Sequence, residues 1–377
     1  MISEAPQEAF GSARWHRAAL DGDRSGIRPR EVVVRSIGET SVNGEVFVGR
    51  WSTLLIDDAS FGQLGMLGSS DIAGHANLLA ERRLRPHDLY RRWERQQWSA
   101  DGVSLERDYE NFNKRLPRTL KRQLASTIAT FIVGEYTGLD LLSPVLLGAQ
   151  NEEDLIFLGT QVADESRHAR VMFRVGHEVL GYDSDPSVML RQAWEMAEQE
   201  HRDLALIEGE IMRASVADPS DYEKWLRCVT LFHLVTEGVL AVSGQRSIVR
   251  ALGKTNLLPG IRSAFAAMCR DESRHISFGL HALRIGIEEG HADAIYDVLE
   301  QAMPLALTIT DRLQPTSAFL SAVTEDERLA TQTGVDCFLR GMRWIGADPT
   351  FTRHVAGKAR PAAAAEAVAG SADGHRG

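Results

Sequence analysis

From about residue 85 onward, apolar side chains recur at the three- and four-residue intervals of an amphipathic helix, and the pattern continues almost to the end of the chain. Pro86–Trp98 reads as one such helix, and Pro117–Leu147 as a longer, more apolar one. Asn151 is placed to cap the next helix, which runs to about Gly181. Asp185 and Pro186 supply a cap and a first-turn proline for a more polar helix reaching about Ser215. Ser220-Asp-Tyr-Glu223 has the spacing of a capping box, and Pro259-Gly260 precedes a further long helix. Two more helices are expected, one over 291–312 and one opened by Thr324-Glu-Asp-Glu327.

The first 84 residues follow other patterns. Residues 1–30 are mixed, charged and Gly-rich. Val-rich runs flank Asn43-Gly44, a hairpin turn pair, so a small hairpin or extended arm is expected over 31–57. Residues 60–75 are rich in Gly and Ser and read as loop. The tail from 351 to 377 is dominated by Ala and Gly and reads as disordered. The expected organisation is an N-terminal extension over 1–84, an all-α domain over 85–350 and a tail.

Two of the long helices carry the same pentapeptide, Asp-Glu-Ser-Arg-His, at Asp164–His168 and Asp271–His275. Positions three apart share a helix face, so Glu165 with His168, and Glu272 with His275, each present a carboxylate and an imidazole in one direction. Glu135 and Glu237 stand in apolar surroundings, 30 residues before Glu165 and 35 before Glu272. One glutamate from each of two helices and Glu-x-x-His from each of two others is the ligand set of a carboxylate-bridged metal pair in a four-helix bundle. Carboxylate oxygen with some imidazole suits iron or manganese, whereas an all-cysteine set would point to zinc or iron–sulfur. Asp164 and Asp271 are placed to orient the imidazoles, and Arg167 and Arg274 to neutralise those acids. A third Glu-x-x-His, Glu198 to His201, lies in the strongly polar stretch WEMAEQEHRD and reads as a solvated face. His233, one turn before Glu237, reads as a core histidine, and Met172, Phe173 and Phe232 as packing residues.

The formal charge of −10 argues against a nucleic-acid partner, and bound divalent cations would offset part of it. Cys228, Cys269 and Cys337 are widely spaced, as expected of reduced thiols in a cytoplasm. The N-terminus has no secretory pattern, and no uninterrupted apolar run approaches the roughly 20 residues of a bilayer span.

The stretches LYRRWERQQWSADGVSLERDYENF, FIVGEYTGLDLLSP, ADESRHARVMF, TEGVLAVSGQ and CRDESRHISFG resemble the ribonucleotide reductase small-subunit superfamily, and most of all its ligand-binding oxidase branch. The resemblance spans roughly residues 85–290. It implies a ferritin-like four-helix bundle with added helices, usually a homodimer, holding two irons or a manganese–iron pair. The implied ligands are Glu135, Glu165, His168, Glu237, Glu272 and His275, with Trp98, Asp271 and His168 as an electron relay. Met172 stands where the reductase subunits keep a radical tyrosine. Thr137 and Phe232 replace the valine and tyrosine that the oxidase branch cross-links. Ala241 and Gln245 are expected to border a substrate cavity, together with Thr137, Phe232, Met172 and Met268. Met268 stands where diiron N-oxygenases add a third histidine.

The expected activity is O2-dependent oxidation of a small organic molecule by a dinuclear centre, with an external electron donor such as a partner reductase. The alternatives are amine N-oxygenation, a radical-generating subunit and an iron-storage protein.

Overall fold

In the computed structural model of the chain, residues 56–196, 199–255, 257–312 and 329–358 are described. All of them fall in the unit Phe47–Gly377. The expected hairpin, the Thr324 capping box and the tail beyond Lys358 lie outside the described residues.

Polar caps and first-turn prolines set where the main helices begin. The Asn151 side chain accepts from the Asp154 amide and opens α6 (Glu152–Arg174). Asp185 caps α7 (Pro186–Glu195). Asp221, rather than Ser220, caps α9 (Tyr222–Val229), by accepting from the Lys224 amide. Helix α11 (Pro259–Glu288) begins on a proline, and its cap comes from far away in sequence. Asp108, in the short α4 (Glu106–Glu110), accepts from the amides of Gly260 and Ile261 at 2.9 and 2.7 Å.

Between α1 (Phe61–Leu64) and α3 (Pro86–Arg95) lies α2 (Ser69–Glu81), where a loop was expected over 60–75. Ile72, His75 and Leu79 recur at helical spacing, and all three are buried. Helix α2 packs on α11, so the helical body starts ahead of residue 85. The polar helix expected over 185–215 is two elements, α7 and α8 (Gln199–Ala217).

The fold is an all-α, ferritin-like four-helix bundle with additional helices. Its members are α5 (Arg118–Leu147), α6, the continuous stretch from α9 through α10 (Val242–Thr255), and α11. Between α9 and α10, Thr230–Ala241 is a π-helical segment. Its wider turn changes which side chains face inward, and such segments concentrate at functional sites. Helices α12 (Ala292–Arg312), α13 (Leu329–Ile345) and α14 (Pro349–Lys358) complete the body, and the last runs beyond residue 351. Two helical stretches, Arg118–Leu147 and Tyr222–Gly253, would cross a bilayer by length and composition alone, with mean hydropathy 1.2 and 1.4. Here each carries a buried glutamate at mid-length, and both are bundle members.

The core falls into two apolar clusters. One gathers Leu141, Phe157, Trp225, Phe232 and Phe278; the other Ile128, Ile132, Met172, Phe265 and Met268. On α5, α6 and α11 the charged residues Glu135, Glu165, His168, Glu272 and His275 fall between the positions belonging to the two clusters. The polar layer thus interrupts the core at the middle of the bundle.

Close approach between helices depends on glycine. A Cβ at Gly279 would lie 2.2 Å from the Cβ of His233, a contact that cannot be relieved by rotating a side-chain end. Gly279→Ala is expected to force α11 from the π-helical segment and cost about 1–3 kcal/mol, read as a lower urea midpoint. An unchanged midpoint would contradict this packing.

Candidate metal centre

The four central helices bring Glu135, Glu165, His168, Glu237, Glu272 and His275 together, each 5% exposed or less. Their ligand atoms form two groups in which all members lie within 4.8 Å of one another. Glu165, Glu237, Glu272 and His275 make one; Glu135, His168 and Glu272 make the other. Glu272 belongs to both, the position of a bridging carboxylate. A Cβ at Gly138 would stand 3.3 Å from Glu165 Oε2, so the absent side chain leaves that carboxylate its place.

Both imidazoles turn Nδ1 toward the carboxylates. His275 Nδ1 lies 3.2 Å from Glu165 and Glu237 and 3.3 Å from Glu272. His168 Nδ1 lies 3.4 Å from Glu135 and 3.7 Å from Glu165 and Glu272. Each Nε2 faces an aspartate, and the pairing is crossed. His168 Nε2 is 3.3 Å from Asp271, and His275 Nε2 is 3.1 Å from Asp164. Each pentapeptide therefore supplies the acid that holds the other's imidazole. With Nε2 donating to an aspartate, Nδ1 is the free donor for a metal.

Each aspartate is anchored in turn by a tryptophan. Trp98 Nε1 donates to Asp271 at 2.7 Å, and Trp93 Nε1 donates to Asp164 at 3.0 Å. The Arg274 guanidinium donates to both aspartates, at 2.7 and 2.8 Å, and is fully buried. Its charge, helped by the His168 hydrogen bond, overcomes burial and holds Asp271 far below the usual carboxylate range. Arg167 lies 3.3 Å from Asp164 and stacks over the Trp98 ring. Amides position two of the glutamates: Gln161 donates to Glu237 at 3.0 Å and Gln245 to Glu272 at 3.1 Å. His233 meets Gln161 at 3.0 Å, which accounts for it as a packed core histidine.

The donor set fits a pair of divalent cations. Glu165 Oε1, Glu237 Oε2 and His168 Nδ1 are buried without a hydrogen-bond partner among the described residues, and each belongs to a member of one of the two donor groups. Burial raises Glu135 to about 7, and burial with the neighbouring Glu272 pushes Glu237 well above the ordinary range. Burial alone would lower both histidines, but Glu165 raises His168 and Glu237 raises His275 well above the ordinary value. These groups hold protons where a cation would otherwise sit. The nearby thiol of Cys269 is pushed up to about 12 by burial and is inert.

A cavity of about 100 Å3 adjoins the cluster. Glu135, Glu165, Glu237 and Glu272 form its inner wall, and Ala241, Thr137 and Phe232 line it as expected. Gln245, Met172 and Met268 do not: Gln245 is turned to Glu272, and both methionines are fully buried in an apolar cluster. One helical turn from a ligand places a residue above or below the polar layer as readily as beside it. Among the cavity residues that escape a reading of the sequence alone, four lie on α8. His201, Leu204, Ala205 and Glu208 line the cavity at helical spacing on α8. His201 is thus a wall residue and not part of a solvated face; Glu198 lies outside the described residues. Trp194 and the exposed Gly134 stand at the outer side.

The sequence profile described as "Ribonucleotide reductase, small chain" matches residues 85–327. The chain belongs to the ribonucleotide reductase small-chain family. Solved structures agree on the fold. An R2-like ligand-binding oxidase with aerobically reconstituted metal cofactor after photoconversion aligns at 21% identity and TM-score 0.59, over 69% of this chain and 92% of that chain. A valine-to-alanine variant of an R2-like ligand-binding oxidase, with anaerobically reconstituted Mn/Fe cofactor, aligns at 21% identity and TM-score 0.60 over the same shares. Met172, which the resemblance matched to the radical tyrosine, is fully buried, and no tyrosine is among the described residues that line the cavity.

The raised groups set a pH dependence. Glu135, Glu237, His168 and His275 bind protons more tightly in the metal-free cluster than as free side chains. Metal must displace those protons, so affinity for ferrous or manganous ion is expected to rise with pH through neutrality. The slope should be about tenfold per pH unit for each proton displaced, with acid released on loading. Affinity that stays constant between pH 6 and 8 would contradict it.

Proposed function

We propose that this chain is a dioxygen-dependent two-metal oxidase of a small organic molecule, using two irons or a manganese–iron pair. The observation that carries this reading is the joining of a six-donor buried cluster to an apolar cavity whose inner wall is the cluster itself. The names of the aligned R2-like ligand-binding oxidases, which include an Mn/Fe cofactor, support the choice of metals. When bound, the pair supplies dioxygen activation and the oxidising equivalents.

The chain's own side chains do the rest. Glu135 with His168, and Glu165 with Glu237 and His275, would each hold one metal, with Glu272 within reach of both. Asp271 and Asp164 keep each imidazole proton on Nε2 and fix the ring planes. Gln161 and Gln245 restrict the swing of Glu237 and Glu272. Phe131, Phe232 and Leu240 keep the cavity dry, which strengthens every charge interaction within it. Ala241 and Gly244 leave room where larger residues would fill the cavity. Electrons come from an external donor, a reductase or a small reductant. Trp98, 8% exposed and hydrogen-bonded to the Asp271 that holds His168, offers a short hydrogen-bonded path inward from the surface.

Anaerobic loading with ferrous ion, alone or with manganous ion, followed by oxygen, tests the reading. The expected result is about two metals per chain, consumption of oxygen without growth of a ferric mineral, and oxidation of an added small molecule. Ala241→Phe should keep both metals and lose that oxidation. Continued mineral growth would favour iron storage, a tyrosyl radical signal would favour a radical subunit, and undiminished oxidation by the Phe variant would place the substrate elsewhere.

A further inference from the structure

The cavity has a second polar feature away from the metal cluster. Glu208 is 6% exposed and lines the cavity beside Thr236. Thr236 Oγ1 donates to Glu208 Oε1 at 3.2 Å, the one hydrogen bond that the structure gives this carboxylate among the described residues. His201 lies two turns earlier on the same face of α8, and neither of its ring nitrogens has a hydrogen-bond partner among the described residues. Neither group serves the metal donors, and a carboxyl and an imidazole left underbonded inside a fold are costly unless a ligand completes them.

The rest of the wall decides which ligand. It contains apolar side chains, two threonines besides Thr236, and the four cluster glutamates, but no lysine or arginine among the described lining residues. A substrate carboxylate would meet Glu208 with no cation to pair it. A purely apolar substrate would leave Glu208 and His201 unsatisfied. An ammonium group supplies both the charge and the N–H donors that Glu208 lacks. We propose, building on the oxidase reading, that the substrate is a small amine with an apolar body, its nitrogen held by Glu208 and its body against Leu204, Phe232 and Leu240.

The electrostatics agree with this geometry. Burial raises Glu208 to about 7 against the Thr236 hydrogen bond, so a cation beside it restores the carboxylate. Burial lowers His201 to about 4, leaving a neutral imidazole that accepts a hydrogen bond without repelling a cation. The size bounds the body: an apolar cavity on the order of 150 Å3 admits benzene, and this one, at about 100 Å3, takes a short alkyl chain or part of a single ring entering from its outer side.

The test is calorimetric titration of the full, metal-loaded chain with benzylamine, benzyl alcohol and benzoate, with elemental analysis of the same samples. Wild type should bind benzylamine at least about tenfold more tightly than the other two. Glu208→Gln should remove that preference while leaving benzyl alcohol affinity and metal content unchanged, and Glu208→Asp should restore part of it. Equal affinities for the three probes, a preference for benzoate, or an amine preference that survives in the Gln variant would overturn the proposal. The two readings fail separately. Fewer than two metals in wild type would count against the oxidase reading, whereas two metals with no amine preference would count against the amine alone.

Discussion

Burying four carboxylates and two imidazoles in the middle of a helical bundle is the constraint around which this fold is arranged. No apolar packing offsets that concentration of polar groups, and hydrophobic clusters flank it on either side along the bundle. Cations between the carboxylates resolve it, and the geometry is organised for them. Both imidazoles present Nδ1 inward because an aspartate holds Nε2 from outside, and Glu272 lies within reach of both donor groups. Without metal the same cluster resolves its charge by retaining protons, the state described by the raised glutamates and histidines.

The crossed pairing of the pentapeptides gives the repeated sequence a structural role. Asp164 serves His275, Asp271 serves His168, and Arg274 ties the two aspartates together. Neither α6 nor α11 can complete its own metal ligand alone. The site therefore links the folding of two helices separated by about a hundred residues in the chain. The tryptophans extend the symmetry outward, and both come from α3 and the residues just after it. One short segment thereby braces both halves of the centre.

Much of the fold and the six converging side chains were legible in the sequence, for a physical reason. Glu-x-x-His at helical spacing fixes direction, and an isolated glutamate in an apolar helix is too costly to bury without a cation or a donor opposite it. The crossed Asp–His pairing was not legible, because it depends on the packing of α6 against α11 and not on position within either helix. Met172 and Met268 were expected in the cavity because the resemblance matched them to a radical tyrosine and a third histidine; both instead lie in the apolar layer. Helix α2 was hidden by its Gly and Ser content, although Ile72, His75 and Leu79 mark its buried stripe. His201 and Glu208 were hidden by the charged residues around them. The signal was present in Leu204 and Ala205, which complete a helical stripe between them. Thr137 and Phe232, which the resemblance matched to the oxidase branch's cross-linking pair, both stand in the cavity wall, where they supply surface.

Anomalous diffraction from crystals of the metal-loaded chain, recorded at the iron and manganese edges, would locate the cations on which all of this rests. Two anomalous peaks are expected in the polar layer, both touching Glu272, one joined to His168 Nδ1 and the other to His275 Nδ1. A single peak, or metal bound at the surface with this cluster left empty, would contradict the two-metal centre.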